Sequence, residues 1–182
     1  MPRFLQITLL VATMAVGLLP GRAGAAIGLP VTVDFSTHGH GPLQPDSYKR
    51  DGVVFTEGSF VGFIQGDDAL VGPVAGRFTP PVSSLSARLA PAVQGTAEYT
   101  LRAFDASGDV VASASVTVTQ DTGDPASGPF GYFTIDLGTL PRGAKWFELN
   151  NRFVRSSFPH ITSIQFGVSD LTYASPSTAN KP

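Results

Sequence analysis

Between Val31 and Tyr173 the chain alternates apolar and polar residues with a period of two, and helical periodicity is nearly absent. A period of two places successive side chains on opposite faces, the signature of half-buried strands. Residues 97–103 set Ala97, Tyr99, Leu101 and Ala103 against Glu98, Thr100 and Arg102. Residues 110–119 set Val110, Ala112, Ala114, Val116 and Val118 against Ser113, Ser115, Thr117 and Thr119. Phe133, Ile135 and Leu137 alternate with Tyr132, Thr134 and Asp136; Leu85, Ala87 and Leu89 alternate with Ser84, Ser86 and Arg88. Shorter candidates run over 31–35, 53–56, 60–64 and 145–149.

The last candidate, 162–173, changes phase. Ile164, Phe166 and Val168 share one parity, Leu171 and Tyr173 the other. One extra residue swaps the faces of a strand, so the spacing points to a bulge near Ser169-Asp170, or to a turn between two short strands. Asp105-Ala106-Ser107-Gly108-Asp109 reads as a hairpin loop between two patterned strands. Residues 121–129, Pro80-Pro81 and Pro141-Arg142-Gly143 read as further breaks. So many strands, each with one apolar face, predict an all-β fold: a two-sheet antiparallel β-sandwich over residues 26–173. No repeat of fixed period argues for a propeller or β-helix. Residues 174–182 are polar and read as a disordered tail.

The start of the chain is different. Arg3 precedes an apolar run from Phe4 to Leu19, and Ala23-Gly24-Ala25 follows. A short positive start, an apolar core and small residues before a cut are the pattern of a cleavable signal helix, here residues 1–25. The rival reading is an uncleaved anchor, for which the apolar core is short. Cleavage leaves 157 of the 182 residues, enough for one domain with its own core, and no membrane anchor. The expected location is secreted or extracellular, with the periplasm as the alternative. Without a single cysteine, that core must hold the fold by itself.

Arg3 and Arg22 leave with the leader, so ten basic residues then face fourteen acidic ones, a net charge of −4. No cluster of Lys and Arg is available to displace counterions, so nucleic acid is excluded as a partner. Eleven of the acidic residues are Asp and three are Glu. Asp favours turns, and its oxygens also suit hard cations.

Five segments occur in a telling order: Val33-Asp34-Phe35; Tyr48 with Gly52-Val53-Val54-Phe55; Gly76 to Val82 leading into Ser84-Leu85-Ser86; Leu101 to Gly108; and Phe166 to Tyr173. This pattern resembles the galactose-binding-like jelly-roll domains of secreted bacterial proteins, including those with a PEP-CTERM sorting tail. The resemblance covers most of the chain after the leader. It implies a jelly roll with its first and last strands side by side and often a structural calcium nearby. The sorting tail is the point of departure, because no Pro-Glu-Pro motif, apolar helix or basic end follows Tyr173.

If the terminal strands pair, Asp34 and Asp170 come close enough to share Ca²⁺ with backbone carbonyls. The bland reading makes both ordinary surface aspartates. His38-Gly39-His40 has the spacing of a transition-metal pair, but no Glu follows it, and a Gly-rich loop is the better reading. Nucleophilic catalysis lacks a Cys and a Gly-x-Ser-x-Gly elbow. Glu57, Glu98 and Glu148 are carboxylates that nothing in the sequence pairs for glycoside hydrolysis. The expectation is a protein that is not an enzyme.

Binding of an extracellular glycan or surface polymer fits better. Sugar sites stack a ring on an aromatic side chain and hydrogen-bond its hydroxyls. Trp146 has the parity opposite to Phe147 and Leu149, and Asn150, Asn151, Arg152 and Arg155 follow in what reads as a loop. Trp146, Asn150 and Arg152 are therefore the candidate ligand residues. The competing reading buries Trp146 and makes the protein a structural or adhesive surface component without a small ligand. Tyr48, Phe60 and Phe63 could line a second pocket, with core packing as the default.

Overall fold

The computed structural model describes residues 27–35, 38–64, 67–91, 95–120, 131–155 and 166–176. The expected leader and most of the expected tail lie outside these residues. Ten strands are formed: β1 (Ile27–Asp34), β2 (Gly41–Pro42), β3 (Val53–Phe55), β4 (Phe60–Ile64), β5 (Asp67–Val71), β6 (Val74–Pro91), β7 (Gly95–Phe104), β8 (Val110–Gln120), β9 (Phe133–Arg155) and β10 (Phe166–Pro176). They make one antiparallel hydrogen-bonded network in the order β2-β4-β5-β10-β6-β9-β7-β8, with β1 on β10 and β3 on β6. Among the described residues no helix is long and apolar enough to cross a membrane.

The network folds over into two layers because its two longest strands serve both. The first half of β9 pairs with β6 from Phe133 opposite Leu89 to Thr139 opposite Ser84. Its second half, from Trp146 onward, pairs with Arg77 to Val74 of β6 on one side and with β7 on the other. The register slips repeatedly between these stretches. Pro80-Pro81 and Pro141-Arg142-Gly143 fall at this corner, inside the strands that they were expected to end. A proline cannot donate to a ladder, and here the β6–β9 ladder is interrupted. Gly138 (φ 61°) and Gly143 (φ 68°) take backbone shapes that suit glycine and turn β9 at the same corner.

The layers meet through the apolar parity of each strand. Ala97, Tyr99, Leu101 and Ala103 of β7 are buried, as are Leu85, Ala87 and Leu89 of β6 and Phe147 and Leu149 of β9. Tyr99 packs its ring 5.5 Å from Phe166 of β10, although β6 and β9 separate their strands in the sheet order. Phe78 joins the layers in the same way, 5.1 Å from Phe147 and 4.8 Å from Tyr173. The two-sheet sandwich read from the alternation is thus the observed fold.

The phase change in the last strand is a bulge. Val168 stands opposite Leu89 and Asp170 opposite Arg88, leaving Ser169 as the inserted residue, buried, its hydroxyl on the Arg88 carbonyl at 3.4 Å. The Asp105–Asp109 hairpin also forms. Asp105 Oδ1 accepts the N–H groups of Ser107 (2.9 Å) and Asp109 (3.1 Å), and Gly108 takes φ 87°. Two boundaries differ from expectation. β10 continues to Pro176, and Ala174, assigned to the tail, is buried opposite Ser84. The presumed loop after Leu149 is strand through Arg155, with Phe153 keeping the inward parity. Asn151 at an inward position hides that alternation in the sequence.

Candidate functional site

The outward face of β9, β7 and β8 gathers the candidate ligand residues. On β9, Trp146, Glu148, Asn150 and Arg152 occupy successive outward positions, all exposed. Trp146 is 44% exposed, a large fraction for an indole. The strand rise of ~3.3 Å per residue puts Trp146 and Arg152 about 20 Å apart along a nearly straight row. Phe104 stands opposite Trp146, Arg102 opposite Glu148, Thr100 opposite Asn150 and Glu98 opposite Arg152. The hairpin carries the rows on into β8, with Ser113 opposite Arg102, Ser115 opposite Thr100 and Thr117 opposite Glu98.

Two hollows lie on this face. The first, about 400 Å³, is walled by Trp146, Phe104, Ala75 and Gly76, with Glu148 and Thr56 as its polar members. Beneath it, a Cβ on Gly76 would meet the buried Phe147 ring at 2.6 Å, so the position has room for glycine alone. The Arg77 guanidinium lies 5.8 Å from the centre of the Trp146 ring, near enough for a cation–π contact. The second hollow, about 320 Å³, is polar and is lined by residues that include Thr100, Arg102, Ser113, Ser115, Asn150 and Arg152. Arg152 donates to one oxygen of Glu98 through Nη2 (2.8 Å) and Nε (3.2 Å). The Thr100 and Ser115 hydroxyls are 2.7 Å apart. An aromatic platform thus stands at one end of a row of hydroxyl, amide and guanidinium groups.

The three sequence-derived residues therefore share one face, but on a strand and not on a loop. Thr100, Arg102, Ser113, Ser115 and Phe104 are not among the candidates the sequence offers, and Glu98 is there only as an unpaired carboxylate. Their polar parity and the hairpin joining their strands were readable; the pairing of β7 with β9 was not.

Asp34 and Asp170 are also brought together, directly opposite each other where β1 pairs with β10. The Arg88 guanidinium sits 3.3 Å from Asp170 and stacks 4.1 Å over the Tyr132 ring. Ser169 Oγ donates to the same Asp170 oxygen at 3.2 Å. Calcium takes 6–8 oxygen ligands. Among the described residues no group of three or more His, Cys, Asp or Glu converges, and a cation already answers Asp170. As placed, the pair is a surface cluster of two carboxylates with one guanidinium on Asp170.

The remaining candidates disperse. His40 Nε2 lies 2.5 Å from Asp68 Oδ1, whereas His38 turns to the Gly39 carbonyl at 3.2 Å. The two imidazoles do not act as one pair. Tyr48 packs edge-on against Phe35 and Phe55 as part of the core. Phe60, 46% exposed, borders a separate hollow with Pro42, Pro45 and Glu57. The Phe63 side chain lies outside the described residues. Glu98 is committed to Arg152, and Glu57 lies in another hollow from Glu148.

No protein-family model matches the sequence, and no curated protein matches it. Several solved structures align at low similarity. An arabinose-bound MgGH51 α-L-arabinofuranosidase is 9% identical over 84% of this chain and 27% of its own, with a TM-score of 0.45. The K3 cleaved adhesin domain of Lys-gingipain from Porphyromonas gingivalis w83 is 13% identical over 80% of this chain and 91% of its own (TM-score 0.40). The carbohydrate-binding module CBM36, in complex with calcium and xylotriose, is 13% identical over 78% and 98% (TM-score 0.32). This chain spans about a quarter of the arabinofuranosidase. Alignments this distant leave the fold to rest on its own strand pairing and the function on its own surface.

Proposed function

We propose that this protein is an exported, non-catalytic recognition module that binds an extracellular glycan or a similar hydroxyl-rich polymer on the outward face of β9, β7 and β8. The leader-like start of the sequence supports export. One observation carries the binding reading: Trp146 is exposed on the same strand face as Asn150 and Arg152. An exposed indole costs solvation that a core position would avoid, and it offers the apolar face of a sugar ring a flat partner. Asn150 and Arg152 supply donors for hydroxyls farther along the strand. The alternative, a structural or adhesive surface component, had its strongest support in a buried Trp146, and the indole is exposed.

The test is a glycan array probed with the purified protein and with Trp146→Ala. Binding to a glycan class, lost on that substitution while the melting temperature stays within a few degrees, is the expected result. Binding that survives the substitution would sink the proposed face. No binding to any glycan would leave the structural reading in its place.

A further inference from the structure

The charged side chains on this face are not equivalent. Arg152 is held by Glu98, and Arg77 lies over the Trp146 ring. Arg102 stands between Glu148 and Ser113 in the register. It is exposed, and among the described residues its side chain makes no hydrogen bond or ion pair. Glu148 is directly opposite, but the two form no salt bridge; Glu148 lines the apolar hollow beside Trp146 and Arg102 the polar groove.

Directly across from Arg102 on β9 stands Glu148, which makes no ion pair with it; in the groove itself Thr100, Ser113, Ser115 and Asn150 are neutral, and the Glu98 carboxylate there is held by Arg152. A guanidinium keeps its charge at any pH a protein survives, and its planar fork matches two oxygens of a carboxylate or a sulfate. An uncommitted fork among hydroxyls and an amide is matched by an anionic group on a hydroxyl-rich ligand. Successive outward residues are ~6.6 Å apart and neighbouring strands ~4.8 Å apart, so Arg102 and Trp146 are about 8 Å apart at the backbone.

We infer that the ligand is an acidic polysaccharide laid along β9, with one sugar ring on Trp146 and a carboxylate or sulfate on Arg102. This rests on the glycan-binding reading of the same face and specifies its substrate class. Without its leader the chain's net charge of −4 repels polyanions at long range, so selectivity for one must come from a local contact.

The experiment measures binding of the purified protein to polygalacturonate and to its fully methyl-esterified form, then to dextran sulfate and dextran. Within each pair only the charge changes, and the two pairs separate carboxylate from sulfate. Preference for at least one charged polymer by about tenfold is expected, the scale of one charge-assisted contact. Added salt should reduce it. Arg102→Gln should bring the charged and neutral forms to near equality, while Trp146→Ala weakens both and keeps their ratio. Equal binding of charged and neutral forms, or a preference that survives Arg102→Gln, overturns the inference. If neutral polymers bind through Trp146 and charge makes no difference, only the acidic assignment falls. If no polymer binds, including across the glycan array, the glycan reading falls with it.

Discussion

Tyr99 pairs through its backbone with Asn151 near the end of β9, yet its ring packs 4.9 Å from Phe133 at the start of the same strand. The eighteen residue steps from Phe133 to Asn151 would span about 60 Å if straight. The contact therefore exists only because β9 turns from one layer into the other, and Tyr99 is a clasp across that fold. Tyr99→Ala should cost about 3–5 kcal/mol in urea unfolding, in the range of a large aromatic removed from a core. Tyr99→Phe should cost far less. A Tyr99→Ala/Phe133→Ala double-mutant cycle should show a coupling of about 0.5–1.5 kcal/mol. Additive losses would mean that the two rings do not support one another.

Burial also sets the alkaline limit of the fold. It pushes the Tyr99 hydroxyl from its ordinary 10.0 up to about 12, and burial together with the nearby Asp51 carboxylate raises Tyr173 as well. Tyr173 donates its proton to the Asp51 carbonyl at 2.5 Å, which also needs the neutral form. Below about pH 10 these tyrosines are protonated whether the chain is folded or not, and their stabilising share is fully present. Above it the unfolded chain loses protons that the native state keeps, so stability should fall as the pH rises from about 10 towards 12. Melting temperatures across that window should drop steeply, and Tyr99→Phe should flatten the slope. An unchanged slope in that variant would remove Tyr99 from the account.

The local parts of this architecture were readable because each depends on a few neighbouring residues. Alternation placed Tyr99 and Leu101 inside and Glu98 and Arg102 outside, and the broken phase at Ser169 announced its bulge. The Asp105–Asp109 turn followed from side-chain chemistry within five residues. What failed was non-local or disguised. Pro80-Pro81 and Pro141 looked like strand ends because proline lacks a donor, and only the two-layer pairing shows that they mark a corner in continuous strands. Asn151 takes the inward parity opposite Tyr99 where an apolar residue would keep the alternation, so the strand beyond Leu149 resembles a loop. The site was half legible for the same reason. Trp146, Asn150 and Arg152 are close in sequence, whereas Arg102 joins them only through the β7–β9 ladder.

Arg88 decides what the Asp34–Asp170 pair can bind. Like charges directly opposite in a ladder repel, and here the guanidinium on Asp170 offsets that repulsion. Calcium and chelator should therefore leave the melting temperature of the native protein unchanged. Arg88→Met removes the cation and leaves the two carboxylates abreast. That variant should lose stability and recover part of it with millimolar Ca²⁺, since a ligand bound only by the folded state stabilises it. A calcium-induced rise in the native protein would instead show that the ion displaces Arg88 or finds oxygens elsewhere.

The Glu98–Arg152 pair separates recognition from stability. Both side chains are on the outward face, Arg152 78% and Glu98 31% exposed, where ion pairs contribute about 0–1 kcal/mol. Arg152→Ala should thus shift the unfolding free energy by less than about 1 kcal/mol. If the row from Trp146 to Arg152 is the ligand track, the same substitution should weaken polymer binding several-fold, because it removes donors at the far end. Glu98→Gln tests the other half of the pair. It releases Arg152 from its carboxylate and leaves a second uncommitted guanidinium in the groove, so affinity for a charged polymer should rise and that for its neutral form should stay constant. Titration calorimetry beside thermal melts reads both quantities on the same samples. A loss of binding that tracks a loss of stability would make Arg152 a structural residue and shorten the track to the Trp146 end.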